Sequence, residues 1–301
     1  MLGIFKLLNN SIKNSGYLGT LYKFRVLVSV TFLYPNVIIK ASKAIFKFKA
    51  SKTTIIRNLW RAINKAYANN LKLSERVNAL IWHSDFIASE FKGRFLVDSH
   101  DEIKLWSSYN LDSLEVYLST TEPHSNHEGI LSLTLRFKGQ PIFYFSFLFC
   151  SNRMGNNSET ILFLTRIQGV PGNYADIKLI NKLMGNLNLS NILLSALEGL
   201  AMSLNIRKIR CVSATNQCSF NSGGSRGNFH STYDEFLVKN GAIFEEEGFF
   251  SLPIPLPIKD LTMVQAHRSR HKKHSAKRRE ISDAVRTTIQ SEIQKRVNFY
   301  L

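Results

Sequence analysis

The chain has 301 residues, of which 44% are hydrophobic and 11% aromatic, and it carries a formal net charge of +17. This composition excludes collagen-like, coiled-coil and wholly disordered proteins, and the length allows one large domain or two smaller ones. The charge is concentrated at the ends, with 14 basic and one acidic side chain in residues 1–76 and seven basic and no acidic side chains in His267–Arg279. The rest of the chain has a net charge of −3, so the two ends are the candidate surfaces for anionic partners.

Residues 1–92 form a basic region with a helical pattern. Apolar residues in 59–67 and again in 73–81 recur at helical spacing, and Pro35 predicts several short helices rather than one long one. The apolar run Val26–Leu33 is too short to span a bilayer, and no small-residue cleavage site directly follows it. We therefore expect neither a signal peptide nor a membrane span here.

The basic N-terminal region also predicts a partner. Apolar residues 24–33 precede four lysines between positions 40 and 49, among which Ile45, Phe46 and Phe48 are interleaved. Cationic segments beside apolar ones are typical of proteins that bind an anionic membrane surface, although a solvated basic face is the simpler alternative. Nucleic acid is the less favoured partner, because His267–Arg279 contains no aromatic residue.

Cysteine usage indicates a reducing compartment. The three cysteines are too few for a disulfide framework, and Cys150 and Cys211 lie in segments with a strand pattern. We therefore expect a cytoplasmic protein. Its basic N-terminal region predicts a position peripheral to the inner membrane.

Residues 93–258 change to the pattern of a sheet. Apolar residues alternate with polar ones in Leu131–Phe137 and, after a turn at 138–141, in Phe143–Phe149. Ile161–Thr165 predicts a third strand of an antiparallel meander, and Leu114–Leu118 adds one upstream.

Helices and strands alternate after the meander. Leu193, Leu197, Leu200 and Leu204 recur on one face of a helix that Ser190 can cap. The remaining predicted elements are a strand at Arg207–Ser213, a helix at Tyr233–Lys239, a hairpin at Ala242–Leu252 and a basic helical tail at 259–301. The predicted fold class is α+β, with a helical N-terminal region followed by a mixed, mostly antiparallel sheet.

Several of these segments resemble the VirK/YbjX family of Gram-negative bacterial proteins over roughly two-thirds of the chain. The resemblance is carried by Arg166-Ile-Gln168-Gly169, the Leu193–Leu197 helix, Val212-Ser213 leading to Asn216, Tyr233-Asp-Glu-Phe236, Gly248–Pro253 and the basic run Arg268–Arg279. Two positions depart from the family pattern: Leu237 stands where Trp is common, and Gln217 where His is common. The second departure puts in doubt any step that such a histidine performs.

The VirK/YbjX resemblance implies a role in virulence, in envelope or outer-membrane homeostasis and correct surface-protein expression, and in resistance to cationic antimicrobial peptides. It implies no established reaction.

A second resemblance suggests an activity. The predicted order of three strands, a helix, a strand, a helix and a hairpin is similar to that of GNAT acyltransferases, in which backbone N–H groups after the fourth strand bind the coenzyme A pyrophosphate. It implies Arg166, Gln168, Gly169 and Gly172 as residues that bind an acyl-CoA. Pro171 stands where a small residue belongs and has no N–H to donate, so a tight turn without cofactor is the alternative.

The candidate catalytic residues are Tyr233, Asp234 and Glu235. The phenol of Tyr233 can donate a proton to a leaving thiolate, and the two carboxylates can act as general acid or base. The alternative is that the carboxylates stabilise the N-terminus of a helix. No metal site is predicted, because the pairs His124/His127 and His271/His274 lack a further ligand pair at zinc-like spacing.

Overall fold

The computed structural model describes residues 67–91, 101–109, 113–120, 128–152, 159–220, 226–257 and 265–299, and the single positions 39, 58, 61 and 62. Apart from the single positions, the predicted helices before residue 67 lie outside the described residues. The same holds for the segment 24–49, on which the membrane interpretation depends. Helices pack on an eight-stranded open mixed sheet, so the predicted α+β class is confirmed. None of the described helices combines the length and the apolar character that crossing a membrane requires.

The elements are numbered here in chain order. The helices are α1 (Leu73–Glu90), α2 (Tyr174–Leu183), α3 (Leu189–Ser203), α4 (Arg226–His230), α5 (Phe236–Lys239) and α6 (Gln265–Phe299). The strands are β1 (Glu102–Ser107), β2 (Leu114–Thr120), β3 (Leu131–Phe137), β4 (Gln140–Ser151), β5 (Thr160–Gly169), β6 (Lys208–Val212), β7 (Ile243–Glu245) and β8 (Phe249–Pro253). A π-helical turn, Ser231–Glu235, joins α4 to α5.

The strands are ordered β1-β2-β3-β4-β5-β6-β8-β7 across the sheet. Strands β1 to β5 are antiparallel neighbours, which confirms the predicted meander. Helices α2 and α3 then connect β5 to β6, which is parallel to it, and the predicted hairpin follows as β7 and β8.

Strand β1 is the described strand that the sequence did not predict, and the helices α2 and α4 were not predicted individually either. A bulge between Lys104 and Trp106 breaks the register of β1 with β2, and Leu105 and Trp106 are consecutive buried residues. The bulge removes the alternation by which a strand is recognised in sequence.

The core lies on both sides of the sheet. One large cluster joins α3 and α6 to the sheet, and a smaller one joins α1 to it. In α6, Ile281, Val285 and Ile289 are fully buried, so the middle of this helix belongs to the core. Helix α3 begins one residue before Ser190, and its N-cap is Asn188, so the predicted cap was wrong by two residues.

Candidate functional site

The parallel strands β5 and β6 separate near the centre of the sheet. They pair only at Leu162–Leu164 and Ile209–Cys211, and β5 continues five residues further to Gly169. Past Leu164, no described strand pairs with this edge of β5. Instead, the N–H of Ile167 donates a hydrogen bond to the hydroxyl oxygen of Tyr233, at 3.1 Å. The π-helical turn therefore covers an edge that β6 leaves open.

A cavity of about 220 Å³ lies where the strands separate. Its lining combines the end of β5, the loop after β6 and the helical segment around Tyr233. The lining residues are Arg166, Ile167, Gln168, Gly169, Gln217, Ser219, Phe229, Thr232 and Tyr233. Four residues that the sequence singled out, Arg166, Gln168, Gly169 and Tyr233, are thus together in one cavity.

A buried carboxylate, that of Glu128, contacts two of the residues that line this cavity. Glu128 is fully buried, its Oε2 lies 2.6 Å from Nε of Arg166, and its Oε1 accepts a hydrogen bond from the Ser219 hydroxyl at 2.6 Å. Burial raises the pKa of the Glu128 carboxyl above its usual range, and the Arg166 guanidinium partly opposes this.

Local backbone geometry places Glu128 there. Gly129 has a φ of +101°, and a Cβ at this position would come within 2.8 Å of the Phe147 backbone nitrogen. Only glycine allows both the left-handed conformation and so close an approach of this segment to β4. Gly129 therefore allows the neighbouring Glu128 to contact Arg166.

The Arg166 and Gln168 side chains are oriented by Tyr144 on β4. The Arg166 guanidinium lies 5.2 Å from the centre of the Tyr144 ring, and the Tyr144 hydroxyl donates to Oε1 of Gln168 at 3.0 Å. A cation and an amide are thus held at the cavity wall in defined positions.

Tyr233 is buried and keeps its proton. Burial raises the pKa of its phenol far above the ordinary value, and the negative charge of Glu128 raises it further. The hydroxyl oxygen accepts the hydrogen bond from Ile167, and the phenol remains a hydrogen-bond donor at neutral pH.

The structure places the two other candidate catalytic residues away from the cavity lining. Asp234 accepts hydrogen bonds from the Ala214 N–H at 2.8 Å and from Nδ1 of His230 at 2.7 Å. Glu235 is exposed and lies 3.3 Å from Nζ of Lys239. Asp234 thus fixes the loop after β6 to the helical segment.

The turn after β5 does not offer a row of free N–H groups. The Val170 N–H donates to the Ile142 carbonyl at 2.9 Å, and Pro171 has no N–H. Gly172 has a φ of +89° with open space around it, and it is not among the residues that line the cavity. Of the predicted cofactor-binding residues, Gly172 is therefore the one that the structure separates from the others.

Metal and thiolate chemistry find no support in the part of the chain that is described. It contains no group of three or more metal-binding side chains. His124 and His127 lie outside the described residues. Burial raises the pKa of the Cys218 thiol, beside the cavity, to about 12, so this thiol stays protonated.

Sequence reasoning missed Glu128, Gln217 and Ser219 as members of the site. Each lies in a loop, where no periodicity marks a residue as buried. One signal was available, because Gln217 is the position at which the chain departs from the VirK/YbjX pattern. Gln217 is almost fully buried, and its side-chain oxygen accepts a hydrogen bond from the Ser219 N–H.

Comparison with known proteins gives a family and no individual relative. Residues 26–291 match the family described as "Protein of unknown function (DUF535)". No curated protein and no solved structure matches the chain significantly. Because the match extends over most of the sequence, the chain belongs to the DUF535 family, which is also known as the VirK/YbjX family.

Proposed function

We propose that this protein supports envelope and outer-membrane homeostasis and the correct expression of surface proteins, with a role in resistance to cationic antimicrobial peptides. The proposal rests on membership of the DUF535 family and on the VirK/YbjX resemblance. The composition, rich in Asn, Lys, Ile and Ser, favours the VirK members of the family.

A deletion strain tests this cellular role. We expect altered surface-protein processing and increased sensitivity to cationic peptides, both restored by the wild-type gene. Unchanged behaviour in both assays would contradict the proposal.

We further propose that the molecular activity is acyl or aminoacyl transfer from a coenzyme A thioester in the cavity between β5 and β6. The observation that carries this proposal is the separation of these two parallel strands after Leu164. Support for the proposal comes from the element order: β3 to β5, the crossover helices α2 and α3, β6, the helical segment around Tyr233 and the β7–β8 hairpin are similar in order to the elements named for the GNAT resemblance.

The residues at the cavity suit this chemistry. In the proposed reaction, the acceptor's nucleophile bonds to the acyl carbon, the carbon–sulfur bond breaks, and the thiolate takes a proton. The Tyr233 phenol keeps its proton at neutral pH and donates a hydrogen bond that stabilises the departing thiolate, and the thiolate takes the proton released by the acceptor. Arg166, whose Nε faces Glu128, lines the cavity and offers its remaining N–H groups to the anionic carrier.

Calorimetric titration with acetyl-CoA and longer acyl-CoAs tests the binding of the acyl donor, on which the proposed transfer depends. We expect Tyr233→Phe to retain binding but to slow transfer at least tenfold, whereas Glu235→Gln, on the exposed side of the same helical segment, should leave both unchanged. Absence of binding to every acyl-CoA would exclude the proposed transfer.

We also propose a cytoplasmic location peripheral to the inner membrane, through the basic N-terminal region. The proposal is supported by the 14 basic side chains in residues 1–76. Co-sedimentation with phosphatidylglycerol vesicles should exceed that with phosphatidylcholine vesicles and should fall when Lys40, Lys43, Lys47 and Lys49 are replaced by Gln. Equal co-sedimentation of the wild type and the four-lysine variant with phosphatidylglycerol vesicles would contradict the proposed membrane association.

A further inference from the structure

A second and larger cavity, of about 430 Å³, lies on another side of the protein. It is enclosed by α3, α5, the segment Pro255–Pro257 and the part of α6 from His271 to Asp283. None of its lining residues belongs to the cavity at β5. Any ligand here would therefore be bound independently of the acyl transfer proposed above.

Basic side chains outnumber acidic ones in this cavity. Arg278, Arg279 and Lys239 line it, together with the imidazoles of His271 and His274. Arg278 is half-buried, and its Nε donates a hydrogen bond to the Ser195 hydroxyl at 3.3 Å, which holds the guanidinium in place. A cation held in this way at a cavity wall is suited to bind an anion.

The acidic side chains that the structure describes in the cavity form no close ion pair with its arginines, although the charge of Glu198 acts on Arg278. Glu198 and Asp283 also line it, but among the described residues no ion pair joins either carboxylate to Arg278 or Arg279. Glu198 uses one carboxylate oxygen to accept the Leu256 N–H at 2.7 Å. The two carboxylates disfavour a ligand that is anionic throughout, because like charges in one cavity repel.

An unused acceptor narrows the class of ligand further. The side-chain oxygen of Asn191 is buried and has no hydrogen-bond partner among the described residues, and Asn191 lines the same cavity. A buried acceptor without a donor costs free energy, which a ligand hydroxyl would recover. With Glu198 beside it, this part of the cavity suits groups that donate hydrogen bonds.

From this arrangement we infer that the cavity between α3, α5 and α6 binds a phosphate monoester that carries hydroxyl groups. Arg278 and Arg279 hold the phosphate, and Asn191 and Glu198 accept hydrogen bonds from the hydroxyls. Such a ligand is either a soluble sugar phosphate or a lipid whose headgroup carries both a phosphate monoester and free hydroxyls, because the two share the recognised chemistry.

Two binding experiments on the full chain distinguish these sources. Calorimetry with glucose 1-phosphate, glucose and inorganic phosphate probes the soluble form, and flotation with vesicles containing phosphatidylinositol 4-phosphate, whose headgroup carries a phosphate monoester and free hydroxyls, probes the lipid. We expect one of the two phosphate monoesters to bind, and Arg279→Ala and Arg278→Met each to weaken that binding at least tenfold. The matched control is Arg286→Ala, which removes an exposed arginine of α6 that does not line the cavity.

Arg279 is exposed, so its substitution tests the site even if Arg278→Met fails to fold. The site is overturned if neither phosphate monoester binds, or if Arg279→Ala and Arg286→Ala bind equally well. Inorganic phosphate bound as tightly as glucose 1-phosphate would overturn the role of the hydroxyls. Asn191→Leu provides the converse test, since we expect it to weaken glucose 1-phosphate binding and leave inorganic phosphate unaffected.

Discussion

The buried ion pair between Glu128 and Arg166 determines the geometry of the β5 cavity. We expect Glu128→Gln to lower the free energy of unfolding by about 3 kcal/mol, because it leaves the Arg166 cation largely buried without its counter-charge. Chemical denaturation of both proteins measures the difference.

An exposed pair of the same chemistry provides the control. Arg136 and Glu102 approach to 2.6 Å at the surface, where water screens the charges. Glu102→Gln should therefore cost less than about 1 kcal/mol. Equal losses for the two glutamine variants would show that burial does not strengthen the role of Glu128.

Two buried tyrosines should respond oppositely to the same substitution. The Tyr67 hydroxyl is buried and has no hydrogen-bond partner in the described part of the chain, whereas the Tyr233 hydroxyl accepts from the Ile167 N–H. Tyr67→Phe should therefore raise the free energy of unfolding by about 1 kcal/mol, and Tyr233→Phe should lower it by about 1 to 2 kcal/mol. Thermal and chemical unfolding of both variants measures the signs, and a loss of stability in Tyr67→Phe would contradict the assignment.

At the residue scale, the sequence predicted the site where its signal was local. Arg166, Gln168 and Gly169 were named because the GNAT resemblance implies them, and Tyr233 because it begins a motif of the VirK/YbjX resemblance. Glu128 could not be predicted, because its role depends on a contact with a strand 38 positions away in the sequence, and nothing in a loop marks a carboxylate as buried.

At the scale of elements, the contact between α3 and α6 depends on one glycine. A Cβ on Gly199 of α3 would overlap the Ser282 carbonyl of α6 and come within 3.0 Å of the Val285 Cβ. Gly199→Ala should therefore lower the free energy of unfolding by roughly 1–3 kcal/mol, through overpacking.

The sign of the stability change in Gly199→Ala tests whether α3 and α6 approach closely at this residue. In an exposed helix, glycine to alanine stabilises by about 1 kcal/mol, because alanine has the higher helix propensity. A variant that unfolds at higher denaturant concentration than the wild type would show that α3 and α6 do not approach closely at Gly199.

Helix α6 also shows why a charge pattern can hide an apolar one. The sequence predicted this segment as a basic tail, because His267–Arg279 dominates its composition. Ile281, Val285 and Ile289 follow at intervals of four and are fully buried against the rest of the protein. Three apolar residues in a long polar helix are a weak periodic signal, and only the packing partner shows that they form a face.

At the scale of the whole molecule, the basic run in α6 is partly structural. Lys277 lies 2.8 Å from Glu280 and 5.5 Å from the centre of the Trp106 ring, and Arg278 is held in the cavity beside α3. The net charge therefore overstates the cationic surface that this run offers to a membrane or to nucleic acid.

The stability of the whole protein should depend on pH through His83, which connects α1 to the sheet. Its Nδ1 accepts the Phe149 N–H at 3.2 Å, its ring stacks on Phe149, and burial lowers its pKa from 6.5 to about 3. Between these values the unfolded chain binds a proton that the folded protein does not, so stability falls as the pH falls from about 6.5 towards 3. The slope attributable to His83 is at most about 1.4 kcal/mol per pH unit.

A substitution isolates this contribution from the carboxylates that titrate over the same range. His83→Gln keeps a side-chain acceptor for the Phe149 N–H but removes the titrating ring. The wild type should therefore be the more stable protein at pH 7, and its advantage should shrink as the pH is lowered to 4. Urea unfolding of both proteins at several pH values measures it. A constant difference would mean that the imidazole gains its proton equally in the folded and unfolded states, which burial against the sheet does not allow.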